Sequence, residues 1–359
     1  MSVIVLVILV CLLAMILFFI TSHASTYYTI SGGNVENNVL LMRVSLNRTK
    51  GKTYDDAKNE ILWLDTEWNK NKKLRQEFNS KIVPLLHPFT NMKVQINSAL
   101  VGNVKVTNAF IKCCEFIHKF KVKYESLYDI ASAPGMFIIA AQHMSKKPIK
   151  WHACSLFDAK NKYLGDTYHL FKKYPENVID LNLLDYNACD NVIKNEERYD
   201  LVTGDVGYVH GYNTLQETSH INLQYSQARL ATNLVKEGGN VFLKMYSCIS
   251  NNNIWLLNNL YSLFDDLYIW KPYSSRITND ETYIVGLHRN AKTCDLPITP
   301  PTINEVPNNA PMYYTYYYNL ARLKNDLVMG KPKTVAKWLK DMKPLIDAIS
   351  SLTTNDDNL

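Results

Sequence analysis

The stretch YDIASAPGMF, residues 128–137, runs an apolar strand into an acid, two small residues and Ala133-Pro134-Gly135, directly ahead of a helical segment. A strand broken in this way aims the unbonded amides of the next helix's first turn at whatever lies above the sheet, and such turns cradle ligands in many α/β proteins. The strand-like runs of this chain end on Asp129, Ser155, Asp180, Asp205 and Lys244. Lys244 stands out. It lies inside VFLKMY, where a central strand is expected to be apolar on both faces, and an unpaired ammonium there costs on the order of several kcal/mol. Two readings follow: a lysine that snorkels from the strand tip to pair with Asp205 on the neighbouring strand, or a group retained for chemistry.

The elements that must hold these residues alternate. YESLYDI, IKWHACSL, NVIDLNL, YDLVTGD, NVFLKMY, DLYIWKP and ETYIVGL read as seven strands, with helices between most of them. In the longest helix, Ile221, Tyr225, Ala228, Ala231 and Val235 form one apolar stripe, and Gly238-Gly239 supplies a left-handed end. The alternation predicts a mostly parallel sheet covered on both faces, and the last two strands, lacking a helix between them, are expected to pair antiparallel. Ligands of such a sheet sit beyond the carboxyl ends of its strands, where the strand order reverses.

The chain of 359 residues has room for one catalytic domain with flanking segments. Its net charge of +6 is compatible with a polyanionic partner without requiring one. Seven cysteines, with no CxxC pair and no zinc-like spacing with histidine, imply reduced thiols. Residues 3–20, VIVLVILVCLLAMILFFI, are long enough as a helix to cross a hydrocarbon core and predict a retained membrane anchor over residues 1–23, with the catalytic part facing the cytoplasm. A cleaved signal peptide ending near Ser22-His23-Ala24 is the competing reading. Residues 24–52 read as a linker. Residues 53–104 read as a helical extension, with Ala57, Ile61, Leu64 and Trp68 at helical spacing, and a further helix is expected over Val104–His118. The core domain spans 105–290. Residues 291–359 add the aromatic run YYTYYYN, a Lys-rich amphipathic helix and a polar tail.

DIASAPGMF, GDVGYVHG, KEGGNVFLKMY and WKPYSSRITNDETYIV occur in this order and at matching spacing in a family that the chain resembles, the FtsJ/RrmJ-like ribose 2′-O-methyltransferases, and most closely its mRNA cap branch. The likeness covers residues 105–290. It implies a Rossmann-like class I methyltransferase fold and a catalytic Lys-Asp-Lys-Glu tetrad at Lys112, Asp205, Lys244 and Glu281. Lys112 rests on NAFIK, which is similar to the family's Arg-Ala-aromatic-x-Lys pattern with Asn108 in the arginine's place, and Lys105 is the alternative. The resemblance further implies S-adenosylmethionine, its methionyl end over Ala131, Ser132, Ala133, Pro134, Gly135, Met136 and Phe137. Asp129, Ser155, Leu156 and Asp205 are the implied further contacts, and Asp180 is the adenine-side acid. Met136 departs from the family's second turn glycine. Ser155 stands where bacterial members carry an acid, as in the cap branch.

Methyl transfer to a ribose hydroxyl needs a group that takes the hydroxyl proton, and a lysine can do so only if its pKa falls toward neutrality. Burial and a second ammonium push it down, and flanking carboxylates limit the fall. Lys244 is the expected acceptor, Lys112 the second cation, and Asp205 and Glu281 the balancing acids. Capped mRNA is the implied partner, with KFKVK, SKKPIK, Arg276 and the carboxyl-terminal lysines as candidate phosphate contacts and Tyr208 and Tyr212 beside the acidic loop. The composition, rich in Asn, Lys and Tyr, fits a viral enzyme working at a cytoplasmic RNA-synthesis site. A ribosomal-RNA ribose methyltransferase and an inactive, membrane-tethered RNA-binding scaffold are the competing readings.

Overall fold

The computed structural model describes residues 39–47, 50–86, 95–145, 147–157, 165–207 and 215–354. The strands are β1 (Leu41–Arg43), β2 (Gln95–Ser98), β3 (Gly102–Lys105), β4 (Ser126–Ile130), β5 (Lys150–Ser155), β6 (Val178–Asp180), β7 (Tyr199–Gly204), β8 (Val235–Met245), β9 (Phe264–Trp270) and β10 (Thr282–Arg289). Eight of them form one sheet in the order β1-β9-β10-β8-β7-β4-β5-β6, while β2 and β3 make a separate hairpin. From β8 through β7, β4 and β5 to β6 every pairing is parallel, and β10 runs antiparallel to both β8 and β9. The eight longer helices are α1 (Tyr54–Lys70), α2 (Asn108–Phe120), α3 (Met136–Ser145), α4 (Tyr186–Asn195), α5 (Gln216–Leu234), α6 (Asn251–Tyr261), α7 (Ala310–Val328) and α8 (Pro332–Thr354).

Strand periodicity sorts the core into two layers. On β8, Val241, Leu243 and Met245 join the cluster that includes α5, α6 and α7, whereas Phe242 joins the one that includes α2 and α3. On β10, Tyr283 and Val285 face α2 while Ile284 faces away from it. The aromatic run of α7 is spent in packing: Tyr313, Tyr314, Tyr316 and Tyr317 are all buried.

Several expectations are corrected. The sheet has eight strands, not seven, because Leu41–Arg43 pairs antiparallel with β9, and its neighbours Leu40 and Val44 are buried with Met42. Residues 39–44, VLLMRV, are apolar but for Arg43 and show no alternation, and β1 thus lies within residues read as linker. The membrane anchor expected over residues 1–23 lies outside the described residues, and among those described no helix is long and apolar enough to cross a membrane. The helix expected from Val104 begins at Asn108, where Thr107 caps it by accepting from the Phe110 amide (3.3 Å), and Val104 itself belongs to β3. Gly238-Gly239 does not end α5, which stops at Leu234. Instead Gly238 (φ +75°) lies in the first turn-like part of β8, where pairing with β7 shifts register, and a Cβ on Gly239 would lie 2.8 Å from the Asp200 carbonyl oxygen.

Candidate active site

Four charged side chains meet at the carboxyl end of the sheet, and the packing beneath explains why. Phe242 and Lys244 are two residues apart on β8 and therefore share a face. Phe242 stacks on Phe116 of α2, ring centroids 4.4 Å apart, and Lys112 lies one helical turn before Phe116. The contact that seats the helix thus carries its lysine toward Lys244. On one side of β8, Gly204 pairs with Leu243, so Asp205 emerges beside Lys244. On the other, Tyr283 pairs with Lys244, and Glu281, two residues before Tyr283, enters on the same face.

The result is a closed set of four ionic contacts. Lys112 Nζ lies 2.8 Å from Glu281 Oε1 and 3.9 Å from Asp205 Oδ1; Lys244 Nζ lies 3.4 Å from Asp205 Oδ1 and 3.7 Å from Glu281 Oε2. Lys112 and Glu281 are buried, and Lys244 and Asp205 are partly open. Lys105 lies at the exposed end of β3, whereas Lys112 reaches both carboxylates, so the geometry selects Lys112. Burial acts to lower the Lys244 ammonium, but Asp205, then Glu281, outweigh it and hold its pKa above the ordinary lysine range. Glu281 shows the converse: burial raises its carboxyl, yet Lys112, Lys244 and Lys271 together hold it well below the usual carboxylate range. The expected fall of the Lys244 pKa toward neutrality is therefore absent in the resting protein, where the two flanking carboxylates dominate.

A second layer fixes the acids. Tyr283 donates to Asp205 Oδ1 (2.9 Å) and Ser275 Oγ donates to Glu281 Oε1 (2.9 Å). The fully buried Lys271 faces the carbonyls of Arg276, Asn279 and Glu281 and the Asn279 side-chain oxygen at 2.7–3.2 Å, which ties the 272–281 loop around one ammonium. Glu115, one turn from Lys112, accepts from the Tyr273 and Ser274 amides (2.8 and 3.0 Å). The WKPYSSRITNDETYIV stretch announced this loop, but not the part played by Lys271 or Ser275. Gln227 had no sequence signal at all. From α5 it donates to the Lys244 carbonyl (2.9 Å) and accepts from the Val206 amide (3.2 Å), bracing the ends of β7 and β8 from the opposite face.

The Ala-Pro-Gly turn lies next door, since the Asp205 amide reaches the Ile130 carbonyl (3.4 Å). The Ala133-Pro134 peptide is cis, and Ala131 (φ +55°) and Gly135 (φ +86°) are left-handed. At Gly135 a Cβ would run into the Leu170 side chain, so glycine is required twice over. Asp129 lies under the turn, buried, accepting from Ser132 Oγ (2.5 Å) and Thr203 Oγ1 (2.7 Å). Burial pushes its pKa up to about 7 against those two hydrogen bonds. Ser155 Oγ accepts from the Ala133 amide (3.3 Å). Asp180 is exposed and accepts from the Phe157 amide (3.0 Å), next to the exposed Leu156. Tyr208 and Tyr212 lie outside the described residues.

These residues fit S-adenosylmethionine on three observations. The first bond within α3 runs from the Ile139 amide to the Gly135 carbonyl, so the amides of Met136, Phe137 and Ile138 project from its amino end, as a carboxylate requires. Met136, in place of the family's glycine, does not fill that cradle, because its side chain is buried in the α2–α3 core. A Cβ on Gly207 would come within 3.2 Å of Lys244 Nζ and 2.8 Å of the Tyr246 hydroxyl, so the glycine keeps the space beside the lysine open.

Strand order, turn and tetrad together define a Rossmann-like methyltransferase. The profile of the FtsJ-like methyltransferases matches residues 105–289, and the chain belongs to that family, which uses S-adenosylmethionine as methyl donor. The chain is 32% identical over 210 residues to the "Probable methyltransferase EP424R" of African swine fever virus (isolate Warthog/Namibia/Wart80/1980), covering 51% of this chain and 49% of that one. It is 26% identical over 219 residues to the "Cap-specific mRNA (nucleoside-2'-O-)-methyltransferase 2" of Drosophila melanogaster, covering 54% of this chain and 31% of that one. A solved ribosomal RNA methyltransferase from Plasmodium falciparum is similar over 52% of this chain and 99% of its own, at 18% identity and a TM-score of 0.38. The chain thus spans about half the length of the viral relative and about a third of the fly one.

Proposed function

We propose that the chain is an S-adenosylmethionine-dependent RNA ribose 2′-O-methyltransferase that acts on the first nucleotide of capped mRNA. The observation that carries the proposal is the ring of four contacts between Lys112, Lys244, Asp205 and Glu281 beside the Ala-Pro-Gly turn. When bound, S-adenosylmethionine supplies an electrophilic methyl on a positively charged sulfur for in-line attack by a ribose hydroxyl oxygen. Lys244 is the residue assigned to that hydroxyl, at Nζ. At rest it carries its proton, and two ammoniums against two carboxylates leave the tetrad electrically balanced. Added positive charge at this end of the sheet therefore favours loss of a proton from Lys244, which frees Nζ to accept one from the hydroxyl. Lys112 engages Glu281 most closely and so limits how firmly that acid holds the Lys244 proton. Asp205, fixed by Tyr283, keeps Nζ oriented.

A small-molecule methyltransferase could use the same turn but has no need of two facing lysines. The preference for capped mRNA draws on the likeness to the fly cap-specific enzyme. It is tested by offering the protein short RNAs of one sequence, capped and uncapped, with cofactor carrying a labelled methyl. The proposal expects label in the capped RNA alone; equal labelling of both would refute the cap requirement.

A further inference from the structure

Glu281 is gripped from behind by a helix that lies beyond the stretch matched by the FtsJ-like family. Residues 280–282 alternate in direction where the loop becomes β10. Glu281 faces the two lysines, while its neighbours turn to the other side of the sheet, where α1 and α7 pack. There Lys324 of α7, itself 4% exposed, pairs with Asp280 at 2.5 Å. Thr282 Oγ1 lies 3.1 Å from the Tyr317 hydroxyl, also of α7, and both hydroxyls bond the Tyr246 carbonyl, at 2.8 and 3.1 Å, two residues after Lys244. The helix is anchored in turn to α1 through Asn325 and Glu60 (2.9 Å). A small cavity with room for about one water lies between helix and loop, lined by Lys324, Tyr317, Asp280 and Lys271 among others.

We infer that α7 is a positioning element of the methyltransferase site, with Lys324 and Tyr317 setting the height of Glu281 through Asp280 and Thr282. The two side chains touch neither substrate nor cofactor. They hold the residues on either side of the acid that bridges both lysines, and a shift of that acid by a fraction of an ångström weakens one bridge in favour of the other. The catalytic constellation is then completed from outside the matched stretch, and this rests on the methyltransferase reading only where activity is concerned.

The test uses the full-length chain with Lys324→Met, Lys324→Arg and Tyr317→Phe. Amide hydrogen exchange is expected to rise in peptides covering 275–283 in Lys324→Met, to stay unchanged in peptides covering 131–137, and to return most of the way in Lys324→Arg, which keeps the charge. On capped RNA, kcat of Lys324→Met is expected to fall roughly 10- to 100-fold, with KM for RNA and for cofactor within about twofold, since small misplacement costs turnover more than binding. Tyr317→Phe, which deletes one hydroxyl and should fold in any case, is expected to lose roughly threefold in kcat by the same reasoning. Wild-type protection of 275–283 in folded Lys324→Met, or loosening of 131–137 to the same degree, overturns the inference. Absence of methyl transfer by the wild-type protein refutes the functional proposal instead, and the exchange data still decide this one.

Discussion

Glu281 and Asp129 are both buried acids at the carboxyl end of one sheet, and they differ in the sign of their pKa displacement. Glu281 faces two lysines, with a third behind the loop, and is held ionised below the ordinary range. Asp129 faces two hydroxyls and a neighbouring acid, and burial lifts it to about 7. Burial penalises both carboxylates alike, so the partner decides the outcome. A cation turns a buried acid into a fixed charge able to steer protons, whereas hydroxyls turn it into a pin that holds backbone. Glu217 and Glu115 fall on the Asp129 side: each binds the start of a loop or helix through amides and hydroxyls, and each is raised by burial.

The contrast is broken most severely at Glu281. In Glu281→Gln, Lys112 loses its closest counter-charge, and removing one partner of a buried pair costs about 3–5 kcal/mol. Activity on capped RNA is expected to fall roughly 100-fold or more, with a clear drop in melting temperature. Wild-type turnover in this variant would mean that the two ammoniums need no bridge.

Asp129→Asn probes the other side through pH. A carboxyl whose folded pKa is raised binds more protons folded than unfolded, so it makes stability fall as pH rises from about 4 to about 7, and nothing further is lost above that. Glu281 has the opposite sign, contributing stability above the ordinary carboxylate range and losing it as pH falls below. Denaturant melts of Asp129→Asn across pH 4–8 should therefore show its stability improving relative to wild type by roughly 2–4 kcal/mol as pH rises. A constant difference at every pH would show that Asp129 does not titrate in this window.

The smallest effect is expected at Gly207→Ala. A methyl there crowds Lys244 Nζ and the Tyr246 hydroxyl without touching the core, so turnover should drop roughly 3- to 10-fold by misplacement while the melting temperature stays nearly fixed. Unchanged turnover would indicate that Lys244 has room to move.

Much of this site was legible because strand ends carry it. Lys244 stands out as a charge in an apolar run and Asp205 as the acid ending a neighbouring strand, whereas Glu281 is implied only by the likeness to the methyltransferase family. Lys112 likewise rests on the likeness of NAFIK to that family's pattern, with Lys105 as the alternative until α2 is seen to carry Lys112 to Glu281. What the sequence left hidden depends on contacts between distant elements. Leu41–Arg43 is a strand only because β9 offers it an edge. Gln227 looks like any polar residue on a helix until α5 packs beneath the ends of β7 and β8, and Lys324 meets Asp280 across 44 positions with no pattern to announce it. The charge of Lys244 also depends on such contacts, since two carboxylates at 3.4 and 3.7 Å outweigh its burial.

The central claim is that Lys244 moves the proton of a ribose hydroxyl. It is tested most directly by mass spectrometry of nucleosides released from capped RNA after incubation with cofactor and either wild-type protein or Lys244→Ala, with S-adenosylhomocysteine affinity measured for both. The account predicts a 2′-O-methylated first nucleotide from wild type, none from Lys244→Ala, and affinities within about threefold, because the cofactor cradle is built by the 131–137 turn. A methyl found on a base, or a Lys244→Ala protein that still methylates the ribose, would contradict it.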